Sequence, residues 1–353
     1  MRFDFALGSA LRSRLSCSAW LALCGAVACG PIGGVASDSG TNANGEPATG
    51  TGAGGSAGAA PVMLPDPPAF KTVGYWPSWA GAPTALQFDK LNYIDYAFAI
   101  ENPDGSVTLP DPPTLLSALV GRAHQAGVRV LLSIGGWNNG NDSGFNTISA
   151  SADARSKFAT TLGGYVNQYQ LDGVDIDWEY PEADVAQGYT AMMQELSAVL
   201  RPNGKLLTIA GAAFNGGSAG ITADAIQYID MVNIMAYDGG PGPQNASPFS
   251  FAQSSLALWQ SKGFSSDKLI LGVPFYSRPN NVPYSTLVRM DPAAANEDDL
   301  GGEYYNGIPT IQQKTAFAMM QGGGMMAWDL SEDAPGTDLS LLSAIYSTIQ
   351  GAP

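Results

Sequence analysis

LDGVDIDWEYP, residues 171–181, carries four acids in close succession: Asp172, Asp175, Asp177 and Glu179. The last three alternate strictly with Val174, Ile176 and Trp178. A β-strand sends successive side chains to opposite faces, so Asp175, Asp177 and Glu179 share one side and the apolar trio takes the other. A solvated acidic face would not alternate with Val, Ile and Trp. Like charges packed along one face resist joint ionisation, so the row is expected to share a proton and to raise at least one carboxyl pKa. That is the state a general acid needs.

Working outward, short β-branched or aromatic runs recur between longer helical patterns. The predicted strands are KTVGYW (71–76), NYIDYAFA (92–99), VRVLLSIGG (128–136), GVDIDWE (173–179), KLLTIAGA (205–212), DMVNIMAYD (230–238), KLILGVPFY (268–276) and GGMMAWDL (323–330). Helices are predicted over 115–127, 154–169 and 310–321, among others. Eight strand–helix units in about 280 residues suit a (β/α)8 barrel. The alternative is a doubly wound open sheet, which normally carries a glycine-rich turn after its first strand. GYWPSW (74–79) is not such a turn. In a barrel the acidic row points to the axis, and Glu179, last in the row, stands closest to the C-terminal mouth where catalytic groups collect.

Composition narrows the function. Of 353 residues, 45% are apolar, enough for a sizeable core, and the net charge of −15 disfavours nucleic acid as a partner. A neutral polymer would not be repelled. The single histidine, His124, sits in a helical pattern and argues against zinc sites and histidine-based triads. It is expected on the helix surface. Residues 1–28 read as a secretory signal: Arg2, Arg12 and Arg14 precede an apolar run from Leu15 to Ala28. AVACG (26–30) resembles the lipobox of bacterial lipoproteins, with Ala26 where Leu is usual, which implies lipidation of Cys29. Ordinary secretion is the alternative. The membrane is otherwise not expected as a partner, and no other span is visible. All three cysteines, Cys17, Cys24 and Cys29, lie in this leader, so the folded part needs no disulfide. Residues 29–69 read as a flexible Gly-Ala-Ser-Pro tether and 70–351 as the catalytic barrel. Two G-x-S-x-G matches, at 54–58 and 216–220, do not read as nucleophile elbows: an elbow requires a downstream histidine, and the only one, His124, lies upstream of the second match and inside a helical pattern.

With these residues in view, DGVDIDWEYP resembles the D-G-x-D-x-D-x-E signature of glycoside hydrolase family 18, the chitinases and their relatives. The resemblance extends along the barrel through YAF (96–98), SIGGW (133–137), MAYD (235–238), GVPFYSR (272–278) and MMAWDL (325–330). It implies Glu179 as general acid and then base, and Asp177 as the group that orients the substrate's acetamide. The substrate's own N-acetyl oxygen is the nucleophile in this family. Asp175 would share a proton with Asp177, Tyr237 would hydrogen-bond the N-acetyl carbonyl, and Trp328 would floor the sugar being cleaved. Tyr75, Phe98, Trp137, Met235, Asp238 and Tyr276 are implied around the substrate. Arg278 has two open roles, contacting substrate or bracing Asp238. Asp172 reads as a structural brace, and Ser133, Gly135 and Gly136 as close packing around the row.

The implied activity is an endo-acting chitinase with chitin or chitooligosaccharides as its partner, no cofactor, no metal and a monomeric state. An endo-β-N-acetylglucosaminidase acting on N-glycans is the alternative within the family, although Trp178 and Tyr180-Pro181 look chitinase-like. A chitin-binding lectin would lack the acid. Residues 279–309 are too few for the α+β insertion that many relatives carry between strands seven and eight. A shallow open cleft is expected, with Tyr284, Tyr304 and Tyr305 at its edge.

Overall fold

The structure, a computed structural model, describes residues 64–239 and 242–351. The leader, Cys29 and the tether as far as residue 63 lie outside the described residues. Eight parallel strands form the barrel: β1 Lys71–Pro77, β2 Tyr93–Glu101, β3 Arg129–Gly135 and β4 Gly173–Asp177. They continue as β5 Leu206–Ala212, β6 Met231–Met235, β7 Leu269–Pro274 and β8 Gly324–Trp328. Each pairs with the next, and β8 returns to β1 with Gly324 opposite Lys71. The sheet is therefore closed, and the open-sheet alternative is excluded.

The strand alternation separates two apolar layers. Val174, Ile176 and Trp178 face outward into the main core, where Trp178 stacks on Phe145 of α2 (Ser143–Ala150) with ring centroids 5.2 Å apart. Val73, Tyr75, Tyr93, Leu131, Met231, Ile270 and Met326 fill the barrel interior. Strand β4 ends at Asp177, two residues short of the sequence expectation. Its last partner is the Gly136 N–H, which donates to the Asp177 carbonyl at 2.8 Å. Beyond that bond the chain after β3 turns away through Gly135 (φ 107°) and Gly136 (φ 80°), leaving residues 178 and 179 nothing to pair with. A Cβ on Gly135 would lie 2.3 Å from the Asp177 carbonyl oxygen, so only glycine allows this turn.

His124 corrects an expectation. It is half-buried near the end of α1 (Thr114–Gln125), and its Nε2 lies 2.8 Å from Asp172 Oδ2. The same carboxylate oxygen accepts the Val130 N–H at 2.8 Å. Asp172 thus braces β3 and α1 just before β4 begins, as its structural reading implied.

Between β7 and β8 the chain makes only a short excursion: α6 (Tyr284–Met290), a two-residue-per-strand hairpin at Asp299–Leu300 and Glu303–Tyr304, and α7 (Ile308–Gln321). There is no full α+β insertion here. Tyr284 and Tyr305 turn inward, donating to the Leu339 and Ala294 carbonyls at 2.9 and 2.8 Å. So short a segment has to supply its own core, which uses two of the three tyrosines expected at the groove edge.

Lys314 of α7 is fully buried. Its Nζ donates to the Ser247 carbonyl and to Asn306 Oδ1, each at 2.6 Å, and to Ser247 Oγ at 2.8 Å, tying the loop after β6 to α7. Burial lowers its pKa to about 7. Between that value and the ordinary 10.5 the unfolded chain binds the extra proton, so this group adds stability as pH rises through that window. The stability gap between wild type and Lys314→Met, read by denaturant unfolding, is expected to change in favour of wild type from pH 7 towards 10.5 by a few kcal/mol. A gap that stays constant with pH would show that the buried lysine remains charged.

Candidate active site

The inner face of β4 carries the acidic row, and the register supplies its partners. Ser133 of β3 and Thr208 of β5 lie directly beside Asp175. Thr208 Oγ1 donates to Asp175 Oδ1 at 2.7 Å, while Ser133 Oγ and Tyr75 Oη each donate to Oδ2 at 2.8 Å. Asp175 is fully buried, and no ion pair among the described residues reaches it. Burial pushes its pKa up, and these hydroxyl bonds pull it down. Ser133 is therefore a hydrogen-bond donor to the row as well as a small packing residue.

Asp177, one step nearer the mouth, is poorer in partners. It is 4% exposed, and its Oδ1 is buried with no hydrogen-bond partner. Burial raises its carboxyl well above the usual carboxylate range, with the charges of Glu179, Asp175 and Asp95 adding to the effect. Glu179 is half-buried at the mouth, and its pKa is raised by burial and by Asp238, against a hydrogen bond from Tyr180. Burial thus raises all three carboxyls of the row, offset most at Asp175, where three hydroxyls donate, and least at Asp177. Carboxyls held apart in this way by their surroundings are what acid–base chemistry needs.

A cleft of about 960 Å³ opens over Asp177 and Glu179. Trp328, the last residue of β8, forms one wall. Phe98 stacks against it at 5.5 Å and 23°, and Tyr75 meets its edge at 5.4 Å. Met235, the last residue of β6, and Tyr237 just after it also line the cleft, and burial raises the Tyr237 hydroxyl pKa well above its ordinary value, with Tyr276, Asp177 and Glu179 contributing. Tyr276 Oη donates to Asp238 Oδ2 at 3.0 Å, and the Arg278 guanidinium holds the same carboxylate in a two-pronged ion pair. Of the two roles open to Arg278, bracing Asp238 is the one made here, although both residues also face the cleft. Trp137 is 59% exposed and leans towards Tyr180 along the far side. The peptide bonds Ala97–Phe98, Glu179–Tyr180 and Trp328–Asp329, all at the mouth, are cis.

The sequence reading thus placed its site residues around one cleft, with Asp175 beneath it. Tyr284, Tyr304 and Tyr305 do not line that cleft; Tyr304 and Tyr305 border an adjoining cavity of about 600 Å³ that shares Asp238, Tyr276 and Arg278 with it. The residues missed are of two kinds. Thr208, Asn233 and Asp95 are lone polar side chains within apolar strands, at inward positions. Trp79, Phe214 and Tyr180 are cleft aromatics just beyond strand ends, and GYWPSW and the AAF at 212–214 were the available signals. The G-x-S-x-G match at 216–220 carries no site, since Ser218 is fully buried and donates to the Phe214 carbonyl. Among the described residues no group of three or more His, Cys, Asp or Glu is arranged to hold a metal ion.

Comparison with known proteins bears on this arrangement. Chitinase A1 of Niallia circulans is 26% identical over an alignment of 413 positions, gaps included, covering 79% of this chain and 59% of that protein. Chitinase B of Serratia marcescens is 32% identical over 220 residues, covering 44% of this chain and 43% of the other. The chain thus spans under two thirds of the length of these curated relatives. The crystal structure of the GH18 chitinase ChiB of Flavobacterium johnsoniae superposes with a TM-score of 0.70 at 28% identity, covering 79% of this chain and 93% of that one. The family model for glycosyl hydrolases family 18 matches residues 71–333, from the first residue of β1 to just past β8 and including every acid of the row. The chain belongs to glycosyl hydrolases family 18.

Proposed function

We propose that the protein is an endo-acting chitinase that hydrolyses β-1,4 bonds between N-acetylglucosamine units, retaining configuration and using the substrate's acetamide as nucleophile. The observation that carries this reading is Asp177 Oδ1, a buried acceptor without a donor, beside Glu179, whose pKa burial raises, at the floor of an aromatic-walled cleft. A substrate amide N–H is the kind of donor it lacks. Asp177 then turns the acetamide so that its carbonyl oxygen attacks the anomeric carbon, while Glu179 gives its proton to the departing glycosidic oxygen. The resulting oxazolinium carries positive charge next to Asp177. Glu179, now a carboxylate, takes a proton from water as that water opens the ring. Tyr237 donates to the acetamide oxygen, and Trp328 presents its indole face to the sugar and excludes water. Trp178 plays no direct part, because it is buried on the outer side of the barrel against Phe145.

Glu179→Gln keeps the shape but removes the proton. It is expected to cut turnover on chitooligosaccharides by at least about 10²–10⁴-fold while leaving binding nearly intact. Tyr237→Phe is expected to cost less, about 1.5–3 kcal/mol in kcat/KM for a bond to a charged intermediate. Proton NMR of fresh product should show the β-anomer first, and bonds following a deacetylated sugar should resist cleavage. An α-anomer appearing first would remove the acetamide from the role of nucleophile. Preferential cleavage of a high-mannose glycopeptide would favour the endo-β-N-acetylglucosaminidase reading.

The short excursion between β7 and β8 supports an open groove and internal cuts. The viscosity of soluble glycol-chitin should therefore fall much faster than reducing ends accumulate. Disaccharide release with no fall in polymer length would contradict the endo mode.

The AVACG stretch supports lipid attachment at Cys29 and a place in the bacterial cell envelope. On that proposal the full chain partitions into detergent, and Cys29→Ala releases it to the aqueous phase or leaves it unprocessed. Mass spectrometry finding an unmodified mature N-terminus at another residue would end it.

A further inference from the structure

Below the acidic row lies a fourth carboxyl that the mechanism above leaves unused. Asp95, inward-facing on β2 and 1% exposed, sits opposite Tyr75 in the ladder between β1 and β2. The Asn233 amide of β6 reaches it from across the barrel, with Nδ2 donating to Asp95 Oδ2 at 2.9 Å and also to Tyr75 Oη at 3.2 Å. Tyr75 Oη in turn donates to Asp175 Oδ2 at 2.8 Å. Two facts stand out. Asn233 Oδ1, on that same amide, is buried without a donor. No ion pair among the described residues involves Asp95, and the ionisable groups facing it are Asp175 and Asp177 of β4, Tyr75 of β1 and Tyr93 of its own strand. An anion there has one donor, no cation and an anionic neighbour. A carboxylic acid there has an O–H to give, and the amide opposite has a carbonyl that needs one.

We propose that Asp95 is a positioning residue that works as the neutral acid, pairing with both ends of the Asn233 amide so that Asn233 holds Tyr75 against Asp175. The acid–amide pair satisfies every polar atom that an aspartate would leave opposed or orphaned. Burial and the charge of Asp175 push the Asp95 carboxyl upward, in keeping with that form.

The test is a pair of variants in the full chain. Asp95→Asn substitutes an amide that gives N–H to Asn233 Oδ1 and takes N–H from Nδ2, as the acid does. Asp95→Leu has similar bulk and neither bond. Wild type has to keep a proton that the Asn variant does not need. Its contribution is present at low pH and is lost as pH rises through the raised folded value. The Tm of Asp95→Asn relative to wild type should therefore climb as pH rises above the ordinary carboxyl value of 3.8. Its turnover on chitooligosaccharides should stay within about threefold of wild type, while Asp95→Leu loses about tenfold or more, the scale of a buried bond left unmade. A Tm difference that is flat with pH, an Asn variant that fails to fold, or one that loses as much turnover as Leu would overturn the proposal, since each means the ionised form is needed. The turnover arm rests on the chitinase reading; the Tm arm does not. An inactive wild type would thus count against that reading and leave the Tm arm to decide on Asp95.

Discussion

Burying a carboxyl group without a cation beside it is costly, and Asp175 is such a group. What offsets the cost is three hydroxyl groups from three different strands: Tyr75 of β1, Ser133 of β3 and Thr208 of β5. Ser133 and Thr208 come from the neighbouring strands, but Tyr75 reaches in from beyond β2 and β3. The charge is therefore solvated only once the barrel has closed. This ties assembly of the fold to assembly of the site: a barrel with β1 out of place would leave Asp175 short of a donor and Trp328 without Tyr75 at its edge.

The rest of the row follows from that anchor. Outward from it, Asp177 meets burial and the charges of its neighbours together and keeps an oxygen with no partner, whereas Glu179 at the mouth has a hydrogen bond from Tyr180 that offsets part of the upward shift from burial. The glycine pair after β3 completes the geometry. Gly136 caps the end of β4, and a side chain at Gly136 would come within 2.5 Å of the Phe98 ring. Room for Phe98, and so for its stacking on Trp328, depends on having no Cβ there.

How much of this was legible depended on the range of the interaction. The alternation in GVDIDW is local, and it correctly assigned one face to the axis and the other to the helices. Closure of the sheet followed from the count of strand–helix units. The network around Asp175 was not legible, because Thr208 in LLTIAGA, Asn233 in MVNIM and Asp95 in YIDYAFA each appear as one polar residue in an apolar run. Their period-two placement says that they point inward, but nothing local says which carboxylate they meet across the barrel. His124 failed for a related reason. Its partner Asp172 stands 48 positions away, just before a strand whose register the helix pattern does not encode. In the excursion before β8, Tyr284 and Tyr305 turn inward because the short segment packs a small core of its own, while Tyr304 borders the cavity that adjoins the cleft.

The buried ionisable groups also set a direction for stability against pH. Glu101 and Glu332 are raised by burial to about 7 and about 8, so their neutral forms stabilise the fold at low pH and that contribution fades as pH climbs through those values. Asp95, Asp177 and Glu179 shift in the same direction. Lys314 acts oppositely, but only above about 7, where it sheds its proton inside the fold. At the acid end, surface carboxylates such as Asp104, held below the usual range by its bond from Lys157, lose their contribution when protonated. The carboxyl terms therefore favour mildly acidic conditions, bounded below by the surface pairs. Glu179 needs its proton in that same range. The burial that prepares the acid and the burial that stabilises the barrel thus share one pH dependence.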